Sequence, residues 1–166
     1  MLIRDEVPSD ETAIHDLIAA AFRDVPQSHQ TEPFIMAALR RAGALTVSLV
    51  AEKAGHVIGQ AAFSPVTIDG KACDWYGLGP IAVAPERQRA GIGSTLIEEG
   101  LGRLHELGAG GCMLVGDPAF YRRFGFHNEP RLTLDGVPPE VFMILPLGKA
   151  VPAGKVAFHP AFAATA

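Results

Sequence analysis

The chain has 166 residues, 48% hydrophobic and 19% charged, which suits one packed domain and excludes wholesale disorder. Fourteen basic residues against eighteen acidic ones leave a formal charge of −4, which argues against nucleic acid or an anionic membrane as the main partner. Eighteen glycines and thirteen prolines predict many tight turns or backbone-lined sites. Ten of the basic residues are arginine and only four lysine, and the arginines are unevenly spread.

Met1 to Glu6 has no apolar signal core and carries Asp5 and Glu6, so no secretory or transit segment is read there and a cytoplasmic location is expected. The apolar run Val141 to Leu145 is far too short to span a bilayer. Cys73 and Cys112 lie far apart without metal-ligand spacing and read as two buried reduced thiols; no metal is expected.

Leu2 to Glu6 predicts a short strand, and Pro8-Ser9-Asp10-Glu11 opens a helix with Ser9 or Asp10 as its cap and Ile14, Leu17, Ile18, Ala21 and Phe22 on one face. A second helix is expected over Glu32 to Arg41, with Phe34, Ile35, Ala38 and Leu39 inward and Gly43 ending it. Thr46 to Glu52 and Val57 to Ser64 read as antiparallel strands joined through Lys53 to His56. Asp69-Gly70 turns the chain into a third strand ending at Gly79 to Ala84. A long helix from about Gly91 to Leu107 follows, with Leu96, Ile97, Leu101, Leu104 and Leu107 as its stripe and Gly108 as its cap. Gly111 to Val115 reads as a strand buried on both faces. Then come a short helix through Phe120 and Tyr121, strands near Leu132 to Leu134 and Val141 to Leu147, and an irregular strand at Lys155 to Phe158. An antiparallel meander followed by a strand–helix–strand crossover predicts one α+β domain with a mixed sheet. Residues 1–147 form its body, and residues 148–166 a strand and tail of the same domain.

The most informative stretch runs from Val83 through Gln88-Arg89-Ala90-Gly91-Ile92-Gly93 to Ser94-Thr95-Leu96. An apolar strand meets Pro85, a basic loop, two glycines one residue apart, and a helix. The first N–H groups of a helix lack intrahelical partners, and the macrodipole places partial positive charge there. Glycines let anionic oxygens approach the backbone. Ser94 and Thr95 offer hydroxyls, and Arg87 and Arg89 full charge. A Walker loop would need lysine after its last glycine, where Ser94 stands, and a dinucleotide fingerprint a small residue where Leu96 stands.

The spacing resembles the acetyl-CoA pyrophosphate loop of the GNAT superfamily of N-acetyltransferases, whose pattern is Gln or Arg, two residues, Gly, one residue, then Gly or Ala. Gln88 to Gly93 matches it, and Asp117-Pro118-Ala119-Phe120-Tyr121-Arg122-Arg123-Phe124-Gly125-Phe126 is similar to the segment whose tyrosine faces the CoA sulfur. Leu78 to Val83 and Gly116-Asp117-Pro118 look like the YhbS-type branch of the superfamily. The resemblance implies a three-layer α/β/α arrangement of an α+β chain, with a mixed, mostly antiparallel sheet whose central parallel strand pair splays apart. Pantetheine would lie in the splay against backbone groups of Ile81, Ala82 and Val83, with the pyrophosphate at Gln88, Arg89, Ala90, Gly91, Ile92, Gly93, Ser94 and Thr95, and Arg123 beside it. Acetyl-CoA is then the cosubstrate and an amine, on a small molecule or a peptide, the acceptor. Tyr121 is the expected acid for the departing thiolate, set against the reading of a core aromatic with its hydroxyl tied off. Many family members carry a glutamate on the strand before the loop, but Gly77 to Val83 has no carboxylate or histidine. Asp74, Glu32, Asp117 and His29 remain as candidate bases. A catalytically silent acyl-CoA sensor and a nucleotide-binding regulator are the other readings, and a monomer and a homodimer fit equally well.

Overall fold

A computed structural model describes all residues, 1–166. The strands are β1 (Leu2–Asp5), β2 (Val47–Lys53), β3 (His56–Ile68), β4 (Lys71–Val83), β5 (Gly111–Val115), β6 (Leu132–Leu134), β7 (Phe142–Pro146) and β8 (Gly154–Ala157), and the helices α1 (Glu11–Phe22), α2 (Glu32–Arg41), α3 (Ile92–Glu106) and α4 (Pro118–Tyr121). They form one sheet in the order β1-β2-β3-β4-β5-β7, antiparallel except between β4 and β5. The tail strand β8 pairs with the far end of β3, at Thr67 and Ile68, and runs parallel to β6.

Helix α3 covers one face of the sheet, over Val47, Leu49, Ala61, Phe63 and Leu114. Two glycines bring it close. A Cβ on Gly100 would overlap the Phe63 ring, and one on Gly59 would lie 2.9 Å from Ile92 and 3.0 Å from Leu96. Helices α1 and α2 cover the other face, with Ile14, Leu17, Ile18 and Met36 packed on Val50, Ala62 and Ala82. The resulting order is helix, sheet, helix.

Several local expectations change once packing is known. On α2 the deeply buried positions are Met36 and Leu39, while Phe34 and Ala38 are only half-buried, because the helix leans on α1 and on the tail. Phe34 meets His15 of α1 edge-on at 5.9 Å between ring centroids. Leu107 follows the last turn of α3 and is 61% exposed, outside the stripe. Val115 is 46% exposed where β5 leaves the sheet's cover, although Gly111 to Leu114 are buried. Cys112 is fully buried, whereas Cys73 is half-buried with Sγ 3.3 Å from the Val66 carbonyl. Neither Ser9 nor Asp10 accepts an N–H of α1 as a side-chain cap. Asp10 instead accepts the Val7 N–H at 2.8 Å and both terminal nitrogens of Arg4, at 2.8 and 3.0 Å. Arg4 also donates to Glu52, so it clamps β1, β2 and the entry to α1 together.

Candidate active site

The parallel pair is short. β4 and β5 pair at Trp75–Gly111, Tyr76–Cys112 and Gly77–Met113, after which β4 runs six residues further with no partner on that side. The pairing of β3 with β4 shifts between Ala61 and Phe63, opposite the Gly79-Pro80 segment, and bends β4 away from β5. The Ala84 N–H bonds to the Ile58 carbonyl on β3 at 2.9 Å. Strand alternation then turns the backbone polar groups of Ile81 and Val83 into the gap. Ala82 faces the opposite way and is buried under α1 with its side chain.

At one end of this gap lies a cavity of about 430 Å³ lined by Val83, Arg87, Gln88, Arg89, Gly91, Ile92, Gly93, Ser94, Phe120 and Arg123. The chain reaches it through a helical turn at Pro85–Arg87, then Arg89 at φ 64° and Gly91 at φ 85°. Thr95 makes the first intrahelical bond of α3, to the Gly91 carbonyl at 3.0 Å. The N–H groups from Gly91 to Ser94 are left without helical acceptors at the cavity wall. Three arginines line that wall, and the Arg123 guanidinium carbon lies 4.5 Å from the Phe120 ring centroid. The arrangement is a cradle for a multiply charged anion.

Not every residue of the motif faces the cavity. Thr95 Oγ1 donates back to the Gly91 carbonyl at 2.9 Å, and Thr95 and Ala90 lie outside the lining. Gln88 borders the cavity but its Nε2 donates to the Val83 carbonyl at 3.2 Å, tying the loop to the strand. Arg122, although next to Arg123, is exposed and lines neither cavity.

Two residues back along β4, the gap opens into a second cavity of about 400 Å³, whose lining includes Ile81, Val115 and Tyr121. Asp117 starts α4 by accepting the Ala119 N–H at 2.9 Å, and α4 carries the Tyr121 ring into the gap beside Phe120, Phe124 and Phe126, with centroids 4.9, 6.4 and 6.0 Å away. The Tyr121 hydroxyl has no hydrogen-bond partner in the protein, unlike a core tyrosine tied off structurally. Burial, with Cys112 and Asp117 nearby, pushes its pKa up to about 12, so it is a neutral donor throughout the physiological range.

The rest of this cavity had no signature in the sequence. Phe22, Ile35, Leu134, Val137, Phe158 and Phe162 reach it from α1, α2, β6 and the chain's end. The candidate bases separate clearly. Glu32 lines the cavity; Asp117 is engaged as a helix cap; Asp74 lies on a different surface, 3.0 Å from Lys149 Nζ; His29 is exposed and lines neither cavity. No group of three or more His, Cys, Asp or Glu is placed to hold a metal ion, and no helix is long and apolar enough to cross a membrane.

A parallel strand pair that parts beside an open helix terminus and a tyrosine is the layout of the acyl-CoA N-acyltransferase fold, and the sequence agrees: residues 3–128 match the profile of the acetyltransferase (GNAT) domain, and the chain belongs to that family. Among relatives, the uncharacterized N-acetyltransferase YhbS of Escherichia coli K12 is 40% identical over 141 residues, covering 82% of this chain and 81% of YhbS. A GNAT family acetyltransferase from Brucella melitensis, solved in complex with acetyl-CoA, superposes with a TM-score of 0.88 at 49% identity over 97% of each chain. The crystal structure of Escherichia coli YhbS in complex with CoA gives the same TM-score at 35% identity, covering 97% of this chain and 91% of the other.

Proposed function

We propose that the protein transfers the acetyl group of acetyl-CoA directly to an amine, with Tyr121 as the acid that protonates the departing CoA thiolate. The observation that carries this reading is the Tyr121 hydroxyl, free of protein partners, in a cavity next to the cradle formed by the α3 terminus and Arg87, Arg89 and Arg123. The acetyl-CoA complex of a relative at 49% identity supports the choice of cosubstrate. In this reading the N–H groups of Gly91 to Ser94 and the three arginines take the pyrophosphate, and pantetheine runs along the backbone of Ile81 and Val83. A backbone N–H there polarises the thioester carbonyl. The amine nitrogen attacks the carbonyl carbon, the C–N bond forms as the C–S bond breaks, and the sulfur takes the Tyr121 proton while the nitrogen loses one to solvent.

Calorimetry with acetyl-CoA, followed by release of free thiol over a panel of amines, tests the proposal. Failure to bind acetyl-CoA at millimolar concentration would refute it. Binding without thiol release from any amine, in the presence of an intact Tyr121, would assign the chain to acyl-CoA sensing instead.

A further inference from the structure

On the acetyltransferase reading, we propose that the acceptor is a primary monoamine on an apolar alkyl or aryl body, its ammonium group received by Glu32. Ten of the fourteen residues lining the 400 Å³ cavity are hydrophobic, and its ionisable side chains are Tyr121, Glu32 and Asp135. The Asp135 carboxylate is engaged by Lys155 Nζ at 3.0 Å. Glu32 makes no ion pair. It is nevertheless held in place. Ser28 Oγ donates to Glu32 Oε1 at 2.7 Å and accepts the Gln30 N–H at 2.9 Å, while Gln30 Nε2 donates to the Phe22 carbonyl at 2.7 Å. Phe22 is itself part of the cavity wall, so the loop that orients the carboxylate is fastened to the surface it serves. Glu32 Oε2 has no protein donor and is left for a cation.

The wall selects the rest of the acceptor. Phe158 and Phe162 meet edge to face at 5.3 Å and, with Leu134 and Val137, offer no partner to a second charge. The second carboxylate of the lining, Asp135, already carries Lys155, so a diamine's far ammonium would meet a paired carboxylate and otherwise apolar surface, and an amino acid would bring its carboxylate toward Glu32. Leu134, Asp135, Val137, Phe158 and Phe162 all follow residue 128, after the stretch matched by the family profile, so five of the fourteen lining residues come from the part of the chain outside that match.

The test is calorimetric titration of CoA-saturated protein with 2-phenylethylamine, 2-phenylethanol and 1,4-diaminobutane. The monoamine is expected to bind about tenfold more tightly than either, the gap from the alcohol reporting one ion pair and the gap from the diamine the apolar wall. Glu32→Gln is expected to bring amine and alcohol within about threefold of each other with CoA affinity intact, which also shows the variant is folded. Phe162→Ala is expected to weaken both by the same factor. Equal binding of the diamine, or a preference for amine over alcohol that survives Glu32→Gln, would overturn the proposal. Selective amine binding without thiol release from acetyl-CoA would refute transfer while leaving the acceptor assignment standing.

Discussion

Gly116 and Tyr121 are packed so closely that a Cβ on Gly116 would overlap the edge of the tyrosine ring. Gly116 follows β5 directly, and its N–H donates to the carbonyl of Val141, the residue before β7, at 2.9 Å, so its backbone is tied down and the tyrosine ring is the part that would have to move. The tyrosine's place in the gap therefore depends on a missing side chain five residues before it. Gly116→Ala is expected to lower kcat at least tenfold while leaving the Kd for acetyl-CoA within about threefold, and to cost about 1–3 kcal/mol of stability through overpacking. Steady-state kinetics, calorimetry and urea unfolding of the one variant separate these effects.

Removing the hydroxyl itself tests the chemistry. Tyr121→Phe keeps the ring contacts with Phe120 and Phe126 and is expected to lower kcat by about 10²–10⁴, with acetyl-CoA binding unchanged. A kcat within threefold of wild type would remove Tyr121 from the mechanism.

The same residue sets an alkaline signature. With the Tyr121 pKa at about 12, its phenol stays protonated over the range in which an amine loses its proton, so on the proposed mechanism kcat/KM is expected to rise with pH and show no Tyr121-dependent fall below about pH 11. A folded-state pKa above the unfolded value of about 10 means that the neutral phenol is favoured by folding. Its stabilising contribution is complete below about pH 10 and is lost as pH rises toward 12. Burial raises the Cys112 thiol as well, which adds to the loss in alkali. Thermal unfolding at pH 9 and pH 11 should show a smaller drop in Tm for Tyr121→Phe than for wild type.

The two glycines of the anion cradle are expected to differ. Gly91 stands at φ 85° with open space around a would-be Cβ, so Gly91→Ala strains the backbone by about 1 kcal/mol without a clash, and is expected to weaken acetyl-CoA binding by disturbing the start of α3. Gly93 has ordinary helical backbone, and a Cβ there would touch Val83 at 3.7 Å. Gly93→Ala is expected to leave stability unchanged within about 0.5 kcal/mol. Acetyl-CoA titrations and denaturant curves of both variants check the contrast.

The Arg4–Asp10 pair is expected to control acid stability. The Arg4 guanidinium and the Val7 N–H hold the Asp10 carboxyl below its ordinary value, so its contribution is present above about pH 4 and is lost as pH falls through the lowered folded-state value. Arg4→Met leaves a buried carboxylate with one donor and is expected to cost about 1–3 kcal/mol at pH 7. That difference should shrink toward pH 2 in a series of urea titrations.

The sequence by itself determined the parts of this protein whose chemistry is local. The anion cradle was legible because Pro85, the arginines, Gly91 and the start of α3 are contiguous, and unpaired N–H groups at a helix start follow from helix geometry alone. Tyr121 was legible for the same reason, in a short segment opened by Asp117 and closed by Gly125 at φ 97°. Tertiary structure decided which of those residues are free to act. It turned the Thr95 hydroxyl back to Gly91, placed Ala82 under α1 and left Arg122 in solvent. It also chose Glu32 from four candidate bases as the carboxylate facing the cleft, and assembled the wall around it from α1, α2, β6 and the tail. An apolar side chain such as Phe158 or Phe162 carries no chemical signature along the chain. It becomes part of a binding site only when β8, pairing with the far end of β3, brings the tail across the cleft.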